Sequence, residues 1–310
     1  MPALPVKTMS KHRLQYLLLV FAGALLRILP RRAALGVAYL FHIIALPLGA
    51  SRIREARRRI RLVCGDSLTD AQVRRIARIS LRNTFFNVVE MLSVAKFTLP
   101  RLRRICDGLD AVLDKPRALS AASGGRGIVI TLPHCGNWDL AGSMCCLSGL
   151  PIFSVAGKQR NPYVNDLINR SREGHGMTIL ERGGGAIRQI LTRLSAGEMF
   201  AILPDTRSPT PELKVPFLGG EANIARGMAE FAWQAKVPIL PVVIRRVGWT
   251  RFSVKTFDEI TPDFTAPKDA ELLRLTAETM AIFDREIRST PEQWFWYNKR
   301  WVLEPVAGQR

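Results

Sequence analysis

The chain has 310 residues, with 45 Lys and Arg against 26 Asp and Glu and a formal net charge of +19. An apolar share of 47% and a charged share of 23% are those of a globular chain and exclude disordered, collagenous and polytopic membrane classes. Five cysteines, including the adjacent pair Cys145 and Cys146, four histidines and no Cys-x-x-Cys argue against a disulfide framework and a structural zinc site, so a reduced, cytoplasmic chain without bound metal is expected.

The charge sits early: residues 1–110 hold 20 Lys and Arg but only 6 Asp and Glu. It is interleaved with two apolar runs, 16–26 and 33–50, separated by Arg27, Arg31 and Arg32. The first is too short to span a bilayer, and the second, containing His42 and Pro47, is marginal. Helices lying in the membrane interface are the expectation. A signal peptide, with Lys7, Lys11 and Arg13 ahead of a short apolar run, and a transmembrane anchor over 33–50 are the competing readings.

Ten arginines from Arg52 to Arg82 follow, around an Asp66-Ser67-Leu68-Thr69 helix start. Such a run ordinarily means a solvated helix face. The apolar neighbours and the near-exclusive use of Arg favour an anionic phospholipid surface. Nucleic acid is the rival, but no zinc finger, RNP motif or basic region with heptads supports it.

After residue 120 the texture changes. Strand-like runs at 127–132, 151–156, 177–180, 199–203, 239–245 and 252–255 alternate with helical stretches at about 139–149, 163–174, 185–195, 224–235 and 268–288. This predicts an α/β fold with a central, mostly parallel sheet flanked by helices, whose chemistry collects at the carboxyl ends of strands.

The first strand runs into Pro133-His134-Cys135-Gly136-Asn137-Trp138-Asp139. On one continuous helix, His134 and Asp139 would lie about 140° apart and could not pair. If Gly136 turns the chain and Asn137 caps a helix carrying Asp139, the imidazole can fold back onto that carboxylate. A carboxylate on one ring nitrogen leaves the other as a general base. A buried histidine with a local hydrogen bond and a Cys135/His134 nucleophile are the alternatives.

The string Thr131-Leu132-Pro133-His134-Cys135-Gly136-Asn137-Trp138-Asp139 resembles the His-x4-Asp/Glu block of bacterial glycerolipid-type acyltransferases. It is closest to the branch of the lipid A late acyltransferases and the mycobacterial phosphatidylinositol mannoside acyltransferase. Further segments follow in that family's order: Lys158-Gln159-Arg160-Asn161-Pro162, Leu203-Pro204-Asp205-Thr206-Arg207, Val215-Pro216-Phe217-Leu218-Gly219, and Pro291-Glu292-Gln293-Trp294-Phe295-Trp296-Tyr297-Asn298-Lys299-Arg300-Trp301. Asp139 stands where the lipid A enzymes usually carry Glu, Asn298 where His is common, and Thr206-Arg207 where Gln-Asn is usual.

The resemblance implies transfer of an acyl chain from an acyl carrier protein or coenzyme A thioester to a glycolipid hydroxyl, with no other cofactor. His134 would be the base, Asp139 its partner, and Asp205 a support orienting His134 or an Arg. By turn preference alone Asp205 reads as a turn cap. Lys158, Arg160, Asn161 and Arg207 would bind substrate, Lys158 and Arg160 through a phosphate. Lys158, Arg207 or backbone N–H groups near Gly136 would face the oxyanion. The segment Glu181-Arg182-Gly183-Gly184-Gly185 is a weaker phosphate cradle, and Trp294, Trp296 and Trp301 suit either an interfacial edge or the core. Residues 1–50 are then a membrane-associating helical segment and 51–305 an acyltransferase domain, at the cytoplasmic face of a bacterial inner membrane.

Overall fold

In the computed structural model, which describes residues 6–183 and 185–304, α1 (Val6–Ile28), α2 (Arg31–Leu48), α3 (Ala50–Cys64), α4 (Asp70–Leu92), α5 (Leu99–Ile105) and α6 (Leu109–Ala122) precede the first strand. The start signal before α4 is a capping box: the Thr69 hydroxyl accepts from the Gln72 N–H, and Gln72 Oε1 accepts the Thr69 N–H at 2.7 Å. Alternation follows through β1 (Val129–Thr131), α7 (Trp138–Leu147), β2 (Ile152–Ala156), α8 (Pro162–Glu173), β3 (Thr178–Glu181), α9 (Ala186–Ser195) and β4 (Met199–Ile202). The chain closes with β5 (Leu213–Phe217), β6 (Gly220–Ile224), α10 (Gly227–Ala235), β7 (Ile239–Val247), β8 (Arg251–Thr256) and α11 (Lys268–Ser289).

Among the described residues six strands form one sheet in the order β3-β2-β4-β1-β7-β8, parallel throughout except for β8 against β7. Successive residues of a strand face opposite sides. In β1, Ile130 therefore packs with Leu113, Met144 and Val242, while Val129 packs on the other face with Phe200, Met228 and Leu275. The mostly parallel α/β layer expected from the sequence is the observed one.

The β5–β6 hairpin was not foreseen. It turns on Leu218 and Gly219, both with positive φ, 52° and 80°, the backbone of a tight hairpin turn. It takes residues up to Ile224, so the helix expected from 224 starts at Gly227.

The N-terminal helices α1 and α2 are packed onto α4 and α8. Ala34, Leu35, Ala38 and His42 form a buried stripe on α2, and Leu35 joins Phe86, Val89 and Leu92 of α4 in one cluster. α1 is held to α8 by Asn161, whose Nδ2 donates to the His12 carbonyl and to Gln15 Oε1, each at 3.0 Å. The outward faces stay apolar: Leu14, Leu18, Phe21, Leu25 and Ile28 on α1, and Leu40, Phe41, Ile44 and Leu48 on α2, are exposed. Of the described helices, α2 is the one long and apolar enough to cross a membrane by length and composition.

The arginine run divides by function. Arg59 is buried, donates to the carbonyls of Trp296 and Asn298 at 3.0 and 2.7 Å, and lies over the Trp301 ring. Arg82 covers Phe86, whereas Arg52, Arg54, Arg74, Arg75 and Arg78 are exposed. The C-terminal tryptophans Trp294, Trp296 and Trp301 are core residues, not an interfacial edge.

Because α2 is docked by one face only, its two faces should respond differently. Leu35→Ala is expected to destabilise the protein by about 2–4 kcal/mol. Leu40→Ala, 60% exposed, should change stability by less than about 0.5 kcal/mol. Chemical denaturation of the two variants makes the comparison.

Candidate active site

β1 and β4 lie side by side in parallel, with Thr131 opposite Ile202. Each chain continues three residues past that pair, to His134 in one case and Asp205 in the other. Sheet register therefore brings the imidazole and the carboxylate together. His134 Nδ1 is 2.7 Å from Asp205 Oδ1, and the His134 N–H donates to Oδ2 at 2.7 Å. Trp294 Nε1–H supplies a third hydrogen bond to Oδ2, also at 2.7 Å.

The Asp205 side chain has no exposed surface, while the His134 side chain is 24% exposed. With Nδ1–H committed to the carboxylate, Nε2 is the nitrogen left with a lone pair. Burial by itself would lower the His134 pKa, but the charge and hydrogen bond of Asp205 outweigh it and raise the pKa above the ordinary 6.5. Burial by itself would raise Asp205, but the His134 charge and the donors around it hold the carboxyl below its ordinary range.

The loop after His134 is stitched to the C-terminal segment. Phe295 N–H donates to the His134 carbonyl at 3.0 Å, Gly136 N–H donates to the Gln293 carbonyl at 2.9 Å, and Cys135 bridges Trp294. Gly136 has φ +55°, and a Cβ there would sit 2.4 Å from the Ile244 carbonyl oxygen, so no larger residue fits without moving the strand. The Cys135 thiol is buried, and burial, reinforced by the Asp205 charge, pushes its pKa far up. That is the opposite of a nucleophilic thiolate.

From the sequence, Asp139 is the expected partner of the imidazole. The structure gives that place to Asp205. Asp139 lies in the first turn of α7, which Asn137 caps by accepting the Leu140 N–H at 3.0 Å. Its carboxylate pairs with Arg172 Nε at 2.8 Å, so it points to α8 and not back to the ring. Both charges still act electrostatically on His134. Arg172 is the residue the sequence did not reveal. Nothing local distinguishes it from Arg170, two positions earlier on α8 and exposed.

The expected substrate-binding residues lie elsewhere. Lys158 is exposed and paired with Glu181 at 2.9 Å, and Arg160 is exposed. Asn161 caps α8 by accepting the Tyr163 and Val164 N–H groups while holding α1. Arg207 bridges Ile224 beside the β5–β6 hairpin. The Gly136 N–H is taken by Gln293. In the glycine-rich segment, Arg182 and Gly183 line the cavity described next, and Gly184 lies outside the described residues.

A cavity of about 780 Å³ opens at His134, Trp138, Asp139 and Arg172. Inward it is lined by Leu113, Ile130, Met144, Ile152, Met177 and Val242. Two guanidinium groups, Arg172 and Arg182, one imidazole and the Asp139 carboxylate stand at a mostly apolar space. This combination suits a long hydrocarbon bearing a reactive polar end. Among the described residues no cluster of three or more His, Cys, Asp or Glu is grouped to hold a metal ion.

The chain matches the family described as bacterial lipid A biosynthesis acyltransferase over residues 5–302. It belongs to that family. Among curated relatives, a phosphatidylinositol mannoside acyltransferase of Mycolicibacterium smegmatis is 26% identical over 218 residues, 67% of this chain and 68% of that protein. A lipid A biosynthesis acyltransferase of Haemophilus influenzae is 26% identical over 184 residues, 57% of this chain and 54% of that one. A crystal structure of the 1-acyl-sn-glycerophosphate acyltransferase from Thermotoga maritima overlaps 90% of this chain and 98% of its own, at TM-score 0.37 and 15% identity.

In this acyltransferase the His134–Asp205 pair makes a signed pH prediction. Only the neutral imidazole accepts a proton, and Asp205 stabilises the charged form, so kcat/KM should fall as pH drops through a pKa above 6.5. Asp205→Asn removes the two largest raising influences and leaves burial and the Arg172 charge opposed only by the Asp139 charge, so the residual acid limb should move to lower pH. The rate should drop on the order of 10³–10⁴-fold because the tautomer is no longer fixed. A pH–rate profile of the two proteins checks sign and size together.

Proposed function

We propose that this protein transfers a fatty acyl chain from an acyl carrier protein or coenzyme A thioester to a hydroxyl of a membrane glycolipid. The observation that carries the reading is the His134–Asp205 pair, 2.7 Å apart, with its carboxylate buried and its imidazole at the polar mouth of a mostly apolar cavity.

His134 Nε2 takes the hydroxyl proton as the acceptor oxygen attacks the thioester carbonyl carbon. The tetrahedral intermediate collapses with cleavage of the carbon–sulfur bond, and the departing thiolate recovers the proton from the imidazolium. Asp205 fixes the tautomer and stabilises that imidazolium. Arg172, held by Asp139, faces the developing oxyanion or a phosphate of the acceptor. The acyl chain lies in the apolar cavity, where the low dielectric strengthens each of these interactions.

The acceptor is proposed to be a phosphorylated disaccharide lipid of the lipid A precursor type. A mannosylated phosphoinositide is the second reading, favoured by Asp139 where lipid A enzymes usually carry Glu and by the longer stretch shared with the mannoside acyltransferases. Docking at the cytoplasmic face of the inner membrane would use the outward apolar faces of α1 and α2 together with the exposed Arg13, Arg27, Arg32 and Arg52 on or beside these helices, each basic residue being worth about 1 kcal/mol near an anionic surface. Apolar patches of this extent mark interaction with a membrane or a partner.

His134→Ala should lower acyl transfer from acyl carrier protein or coenzyme A thioesters to extracted glycolipids by about 10²–10⁴-fold. Near wild-type transfer would sink the mechanism. Mass spectrometry of lipids from a deletion strain should reveal one glycolipid lacking a single acyl chain, and that species identifies the acceptor. Vesicle co-sedimentation should show stronger binding to anionic than to neutral lipid, weakened by salt, and further weakened by Phe21→Glu combined with Phe41→Glu.

A further inference from the structure

A second buried charge cluster grips the loop after His134 and takes no part in the steps above. At its centre is Glu90 of α4, whose side chain is 2% exposed. Its Oε2 accepts from Arg246 Nη2 at 2.5 Å and from Asn137 Nδ2 at 2.7 Å. Its Oε1 accepts from Arg31 Nη2 at 2.5 Å and Nε at 3.2 Å, and from Arg246 Nη1 at 3.1 Å.

The same cluster holds the neighbouring residue. Arg246 Nη2 donates to Asn87 Oδ1 at 2.8 Å, and Asn87 Nδ2 donates to the Gly136 carbonyl at 2.6 Å. Gln293, whose carbonyl takes the Gly136 N–H, pins the Arg246 backbone on both sides at 2.8 and 3.2 Å. Gly136 and Asn137, the two residues that turn the chain from His134 into α7, are thus fixed from Glu90, Asn87 and Gln293.

Arg31 is the one member contributed by the N-terminal helical region, from the first turn of α2, with Nη1 also donating to the Thr250 carbonyl at 2.6 Å. We propose that Arg31 is a positioning residue: by completing the shell around Glu90 it keeps that carboxylate on Asn137, and so couples the docking of α2 to the geometry of the catalytic loop. Without Arg31, Oε1 keeps only the longer of the two Arg246 contacts. Without the Arg31 fork the carboxylate is free to rotate about its remaining contacts to Arg246, so the Oε2 contact with Asn137 is no longer fixed. On this view the apolar N-terminal helices are also part of what holds His134 in place.

The kinetic arm rests on the acyl-transfer reading, and the structural arm does not. In full-length Arg31→Gln, amide exchange of peptides covering residues 133–141 should quicken about 10-fold, with β2 and β4 unchanged. kcat should fall about 10-fold at unchanged KM, in the range of couplings between linked sites. Binding to anionic vesicles should not change. Arg31→Lys keeps the charge but not the fork and should recover part of both losses; if Arg31→Gln cannot be purified, Arg31→Lys gives the same comparison at smaller amplitude. Unchanged exchange at 133–141, exchange rising evenly along the chain, or a rate loss that tracks lost vesicle binding would each overturn the coupling. If the wild-type protein transfers no acyl chain from any thioester, the acyl-transfer reading fails while the exchange data still decide the coupling.

Discussion

A carboxylate with no solvent-exposed surface has to be surrounded by donors, and Asp205 is that carboxylate. Leaving such a charge unpaired costs about 3–5 kcal/mol, comparable with much of a domain's net stability. Its three donors come from the end of β1 and from Trp294, near the C-terminus. The order of β4 beside β1, the return of the chain to residues 291–301 and the backbone bridges at Cys135 and Phe295 all serve to assemble that shell. The same bonds that stabilise the interior therefore aim the imidazole, so folding and preorganisation of the site are one event.

Around this centre the acidic and basic groups divide their work by burial and direction. Asp205 acts on His134, Asp139 on Arg172, and Glu90 on the turn between His134 and α7. Two of these carboxylates are buried beyond water's reach, where an ion pair is poorly screened and directional. Asp139 keeps partial exposure at the N-terminal end of α7, whose dipole favours a negative charge.

The N-terminal helices have two sides with different physics. One stripe of α2 packs on α4 as an ordinary core surface, and Arg31 at its start is tied into buried ionic contacts. The opposite faces of α1 and α2 expose leucine, isoleucine and phenylalanine side chains that a soluble surface would bury. The face that packs on the rest of the protein and the apolar face left exposed are thus opposite sides of the same helices.

The sequence alone was enough for the α/β alternation, the helix start at 66–69, the position of His134 at a strand's carboxyl end and the apolar character of 16–26 and 33–50. Each of these is a local property, set by period, caps and turn residues within a dozen positions. It was not enough to choose between Asp139 and Asp205 as the partner of His134. It also could not raise Arg172 above Lys158, separate buried Arg59 from its exposed neighbours, or show that Trp294 is a hydrogen-bond donor to the site. Those choices depend on which strand lies beside which. In a parallel sheet adjacency is decided by long-range pairing and burial, so His134 and Asp205, 71 residues apart, meet through tertiary structure, whereas the four residues between His134 and Asp139 carry the chain past the ring into a helix that turns its carboxylate elsewhere.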